Sequence, residues 1–162
     1  ILNKFSFENS LRDTLNARDE THECALLLVD IDNMKRMNDE LGKLVGDMFL
    51  ENVAEFLTSI FRGSDIIGRV GGDEFMVYVR NLKSEDWLAG KCSRIQHEIK
   101  AISNENGNIN MTCSIGAAVA GKVPVSFEQM YTQADDSLYK AKTRGRGKYV
   151  LHYVHKEREV IH

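Results

Sequence analysis

The amino-acid sequence predicts an α/β domain: a mixed, mostly antiparallel central sheet of about five strands flanked by helices. Three observations carry this. The run Cys24-Ala-Leu-Leu-Leu-Val-Asp30-Ile31 is apolar until its acidic end, too short for a helix of its own, and fits a central strand covered on both faces. Two β-rich segments, Asp65 to Val70 and Phe75 to Val79, flank Gly71-Gly72-Asp73-Glu74, which reads as a hairpin with a glycine-rich, acidic tip. Helical spacing recurs in the stretches between.

In chain order, Phe7, Leu11 and Leu15 make an amphipathic first helix within Phe5 to Arg18. After the central strand come helices over Met34 to Leu41 and Gly46 to Phe61, the second with Phe49, Val53, Phe56, Leu57 and Ile60 on one stripe. The hairpin follows. Ser84 to Ile102 is helical by pattern, with Trp87, Ile95, Ile99 and Ile102 turned inward. Asn110 to Ala120 reads as a strand, Ser126 to Thr143 as a helix and Lys148 to Val154 as a last strand.

A chain of 162 residues, 43% apolar and 28% charged, is long enough to bury one core without staples. Lys plus Arg number 21 and Asp plus Glu 24, a net charge of -3, so the basic excess of a general nucleic-acid binder is missing. Cys24, Cys92 and Cys113 are odd in number and lack metal-ligand spacing; they read as buried hydrophobes of a reducing compartment. The longest uncharged stretch, Asn106 to Gly121, is broken by polar residues and spans no bilayer. The expectation is one cytoplasmic domain over residues 1–162, beginning at Ile1 rather than Met and therefore excised from a longer protein. That parent is either soluble or membrane-anchored, and the domain itself contacts neither membrane nor nucleic acid.

The chemistry sits at strand ends. Asp30 and Asp32 close the first strand, and Asp73 and Glu74 stand at the hairpin tip. If the strands are neighbours, Asp30 and Asp73 converge, an arrangement that a divalent cation offsets. Hard oxygen ligands without His or Cys point to magnesium, which serves phosphoryl and nucleotidyl transfer. Helix capping by Asp32 and turn chemistry at Asp73 are the bland alternatives.

Gly71-Gly72-Asp73-Glu74-Phe75 spells the pentapeptide that names the GGDEF family, the diguanylate cyclases, and the whole chain resembles that family. Leu28-Val-Asp-Ile-Asp-Asn-Met-Lys-Arg-Met-Asn-Asp39 is similar to its strand-to-helix segment. Gly42, Gly46-Asp47, Ser114-Ile-Gly116, Ala134-Asp135, Leu138-Tyr-Lys-Ala-Lys142 and Gly145-Arg146 fall in the family's order. The resemblance implies a fold similar to polymerase palm and class III nucleotide cyclase domains. It also implies a reaction: two GTP condense to cyclic di-GMP, releasing pyrophosphate, across two GGDEF domains that meet as a homodimer.

The resemblance carries roles onto residues. Asp30, the Ile31 carbonyl and Asp73 would hold Mg²⁺, a pair per half-site with Mn²⁺ as a substitute, and Asp32 would either support these ligands from behind or cap the following helix; Asp73 would accept the 3′-hydroxyl proton beside Glu74. Lys35, Lys142 and Arg146 would meet the triphosphate, Lys35 stabilising the transition state. Gly71 and Gly72, lacking Cβ, would let backbone amides approach phosphates. Asn38 and Asp47 would read guanine, whose two adjacent N–H donors suit a carboxylate that adenine's bare acceptor would repel. Arg62-Gly-Ser-Asp65, with Arg94, resembles the family's inhibitory site for cyclic di-GMP, an ordinary surface ion pair being the alternative.

The sequence departs from the family's pattern in places. The upstream Asp-x-Leu-Thr segment is missing, and Lys43, Met34 and Gly147 stand where histidine, an aromatic and asparagine are usual. A retired module that binds GTP or cyclic di-GMP to regulate an attached domain is the alternative function, and a cyclase for another nucleotide a third. Both acids of the hairpin tip are retained, which favours the active enzyme; Asn38 with Asp47 argues for guanine.

Overall fold

The computed structural model describes residues 1–155 and 159–161. The chain runs β1 (Leu2–Asn3), α1 (Lys4–Asn16), β2 (Cys24–Ile31), α2 (Met34–Leu41), α3 (Lys43–Ile60), β3 (Ile66–Arg69) and β4 (Glu74–Val79). It continues as α4 (Glu85–Glu105), β5 (Cys113–Ala120), α5 (Phe127–Thr143), β6 (Tyr149–Tyr153) and β7 (Glu159–Ile161). The sheet has 7 strands in the order β1-β3-β4-β2-β5-β6-β7. Only the β1–β3 and β5–β6 pairs are parallel, so the sheet is mixed and mostly antiparallel. Beyond the five strands expected, the two extra ones are β1 and β7, 2 and 3 residues long, too short to carry a readable period.

β2 lies at the centre and every one of its residues is buried. Ala25, Leu27, Val29 and Ile31 pack under α2, α3 and α4; Cys24, Leu26 and Leu28 pack under α1 and α5. β4 alternates in step, with Phe75, Val77 and Val79 on the first side and Met76 and Tyr78 on the second. Burying each large side chain of these layers contributes about 1.5–3 kcal/mol. All three cysteines are buried and free of disulfides.

Some boundaries differ from expectation for local reasons. β5 starts at Cys113 rather than Asn110, because the Met111 N–H donates to Ser103 Oγ and the Thr112 carbonyl accepts from Asp32 N–H. α3 starts at Lys43, directly after Gly42, which ends α2 with a φ of 86° and turns the chain. Trp87, expected in the core, is only half-buried. Helix α5 lies directly on β5: a Cβ at Gly116 would fall 2.2 Å from the Ala134 carbonyl oxygen. That close approach sets the height at which the end of α5 meets the end of β2.

Candidate active site

Strand parity decides where the acids go. Asp30 continues the Cys24-Leu26-Leu28 side of β2, and Glu74 the Met76-Tyr78 side of β4, so both face the α5 layer. The two are direct partners in the antiparallel ladder, where Cβ atoms lie about 4.5–5.5 Å apart. The Asp73 carbonyl accepts from Ile31 N–H at 3.0 Å, which fastens the hairpin tip to the end of β2. Val70 N–H closes the tip on the Glu74 carbonyl at 2.9 Å, and Arg69 donates to the Gly72 carbonyl at 2.6 Å across the turn.

Asp30 is 8% exposed and receives a hydrogen bond from Lys142 Nζ at 2.8 Å. Burial raises its carboxyl above the ordinary range; Lys142 opposes that shift, and the charges of Asp73 and Asp32 add to it. Glu74 is raised as well, by burial first and then by Asp30 and Asp73. The end of β2 and β4 therefore gathers more negative charge than one ammonium offsets. Among the described residues no group of three or more His, Cys, Asp or Glu side chains is arranged to hold a metal ion. The charge of Asp73 nevertheless reaches Asp30, and Lys142 already places a cation on Asp30; carboxylates of this kind suit a hard divalent ion.

Asp32 caps no helix. Asn33 occupies the N-cap position of α2 in a left-handed conformation and makes no side-chain cap bond. Asp32, 6% exposed, instead accepts from Thr112 Oγ1 at 2.7 Å, Ser114 Oγ at 2.8 Å and Gly147 N–H at 3.1 Å. Its carboxylate ties β5 and the turn after α5 to the end of β2. That turn is a Schellman ending: Arg146 N–H donates to the Ala141 carbonyl at 3.1 Å and Gly145 N–H to that of Lys142 at 3.3 Å. Gly145, Arg146 and Gly147 all have positive φ, 109°, 60° and 57°, and a left-handed Arg146 costs about 1–2 kcal/mol. Asp32 anchors this turn, so it sets where Lys142 and Arg146 stand. Nothing local in the sequence signalled the link, since its partners lie about 80 to 115 residues away.

At the α2–α3 junction, Asn38 leans onto Gly46 so closely that a Cβ there would sit 2.0 Å from Asn38 Oδ1. Gly46 thus lets Asn38 lie against the first turn of α3. Asp47 lies inside α3, not at its cap, and makes only a loose 3.9 Å pair with exposed Lys43. Lys35 is exposed on the first turn of α2, without a hydrogen bond or ion pair among the described residues.

The Arg62–Asp65 segment is not a side-chain ion pair. Buried Asp65 accepts from the backbone N–H of Arg62 at 3.0 Å and of Arg80 at 3.2 Å. The Arg62 guanidinium lies 5.5 Å from the centroid of the Trp87 ring, and that of Arg94 5.8 Å from Phe56. Sequence reasoning missed Trp87 and Lys91 here; with Arg94 they repeat at the i, i+4, i+7 spacing of one helix face, a signal that was available.

The chain is similar to known proteins over most of its length. A family model described as "Diguanylate cyclase, GGDEF domain" matches residues 1–148. The chain is 34% identical over 151 residues to diguanylate cyclase DgcS of Shewanella oneidensis, covering 92% of this chain and 49% of that protein. It is 34% identical over 141 residues to diguanylate cyclase A of Treponema denticola, covering 85% of this chain and 38% of that one. The chain thus spans half or less of the length of these relatives. Among solved structures, a microbial GGDEF domain described in a novel interaction mode with cyclic di-GMP superposes with a TM-score of 0.78 at 31% identity, covering 94% of this chain and 90% of that one. The GGDEF domain of PA1120 from Pseudomonas aeruginosa superposes at 0.71 with 29% identity, covering 93% and 94%. No helix among the described residues is long and apolar enough to cross a membrane.

Proposed function

The chain belongs to the GGDEF family of diguanylate cyclases, and on that premise we propose that residues 1–162 are one catalytic domain of a longer cytoplasmic or membrane-anchored protein. It condenses two GTP into cyclic di-GMP. The 3′-hydroxyl oxygen of one GTP bonds to the α-phosphorus of the other; the bond from that phosphorus to the oxygen bridging the β-phosphate breaks. Pyrophosphate leaves with the electron pair, and the hydroxyl proton passes to Asp73. A second, symmetrical transfer closes the ring, which requires a second GGDEF domain facing the first.

The observation that carries this reading is the acidic mouth itself: Asp30 and Glu74 in register beside the Gly71-Gly72 turn, with Lys142 on Asp30. Asp30, the Ile31 carbonyl and Asp73 would hold Mg²⁺, a pair of ions for which Mn²⁺ substitutes, supplying Lewis-acid stabilisation to the attacking and leaving oxygens. Glu74 supports the acidic set. Lys142 exchanges Asp30 for the triphosphate and, with Arg146 and Lys35, offsets charge on the departing pyrophosphate. Gly71 and Gly72 offer backbone amides to the phosphates. Asn38 and Asp47 select guanine. Cyclic di-GMP returns as an inhibitor at Arg62, Asp65 and Arg94.

Chromatography of a concentrated sample incubated with GTP and Mg²⁺ tests the reading: cyclic di-GMP is expected, with specific activity rising with protein concentration as two domains meet. Thermal protection by GTP and Mg²⁺ without any product at high concentration would instead assign the chain to the retired, ligand-sensing class.

A further inference from the structure

We infer that Trp87 and Lys91 complete the product site begun by Arg62, Asp65 and Arg94: Lys91 contacts a phosphodiester of the cyclic purine dinucleotide, and the Trp87 ring positions Arg62 and Lys91 to receive it. This rests on the product-binding reading above and deepens it. Lys91 Nζ lies 5.0 Å from the Trp87 centroid and 5.5 Å from that of Phe61, and it donates to the Ile60 carbonyl. Arg62 shares the same Trp87 ring at 5.5 Å, and Phe61 meets Trp87 edge-on with centroids 6.4 Å apart. Arg94 stands one turn further along α4, over Phe56.

No ion pair joins Arg62, Lys91 or Arg94 to a carboxylate among the described residues. Asp65 is the nearby acid, and its oxygens are taken by two backbone N–H groups, so it shapes the turn while neutralising the cations only in part. Burial holds the Lys91 ammonium below the ordinary lysine range, and the charges of Arg94, Lys83 and Arg62 push the same way against Asp65. Cation–π contacts contribute about 0.5–1 kcal/mol each at such exposed positions, enough to hold the side chains but not to discharge them. The face lacks an anion. A cyclic dinucleotide brings phosphodiesters for a compact ammonium and guanine edges for the planar fork of arginine.

Trp87 is the single tryptophan of the chain, so its emission reports on this face alone. Cyclic di-GMP is titrated into the intact protein with fluorescence and calorimetry read in parallel. Trp87 emission is expected to change and to saturate with the heat. Lys91→Met, which keeps the stem over the ring, is expected to weaken binding about tenfold and to flatten its salt dependence. Lys91→Arg is expected to restore most of the loss, and melting curves establish that each variant is folded. Saturating heat with constant Trp87 emission, or an unchanged Kd in folded Lys91→Met, overturns the inference while leaving the product site standing. No heat from the unaltered chain, or binding indifferent to Arg62→Ala, overturns both.

Discussion

At the ends of β2 and β4, Asp30, Asp73 and Glu74 gather like charge near Lys142; on the face of α3 and α4, Arg62, Lys91 and Arg94 lie over aromatic rings with no paired acid among the described residues. Both places gather like charge, and they tolerate it differently. The acidic mouth recruits its counter-charge from 112 residues away and still has carboxyls raised above their ordinary range. The cationic face relies on π faces and on two carbonyls, those of Ile60 and Asn81, 31 and 19 residues from the cations that they accept from. Each is left short of charge of the opposite sign. That shortage matches a metal ion at the first and a phosphate at the second.

The largest expected effect breaks the acidic side of this contrast. Asp73→Ala should lower cyclic di-GMP formation about a thousandfold, while thermal protection by GTP weakens only in part. Near-normal turnover would remove the assigned proton acceptor. Next, Asp32→Ala leaves Thr112, Ser114 and Gly147 N–H without their acceptor and should destabilise the fold by about 2–4 kcal/mol, read as a lower melting temperature. Its folded fraction should show a raised KM for GTP, because Lys142 and Arg146 lose their anchored turn. An unchanged KM would mean that the anchor supports the fold alone.

On the cationic face, Arg62→Ala should weaken cyclic di-GMP binding and inhibition by about tenfold. Inhibition equal to that of the unaltered chain would place the product elsewhere. The smallest effect concerns pH. Lys91 is depressed in the folded chain, by burial first and then by Arg94, so between its folded pKa and the unfolded value of about 10.4 the unfolded chain binds more protons. Stability then rises with pH through that window. Lys91→Met should be slightly more stable near neutrality and should lose this increment, seen as the difference between the two proteins' melting temperatures from pH 7 to 10. Parallel curves would show that the face carries no strain from its charge.

Much of this molecule was legible in its residues. The apolar run of β2, the hairpin with its glycine-rich tip and the helical stripes of α1, α3 and α4 lie within a few residues of expectation, because each is written in local periodicity or turn chemistry. The acids follow from their places at strand ends, and Asn38, Asp47 and the arginines from motif resemblance. The role of Asp32 was not legible: the same position beside a helix suits a cap, and only contacts with Thr112, Ser114 and Gly147 assign it otherwise. Trp87 turns inward against the core as its spacing predicts, but only in part. Large apolar residues at helical spacing read as core, whereas here the ring lies half-open beneath two cations.

Local chemistry thus determined that a strand ends in acid, that glycines turn the hairpin and that the chain carries the GGDEF signature. Tertiary structure decided which face of the sheet the acids occupy. β2 is apolar on both sides, so its period is silent about direction. The choice came from the register of β2 against β4 and from α5 lying against Gly116, contacts that form only when distant segments pack.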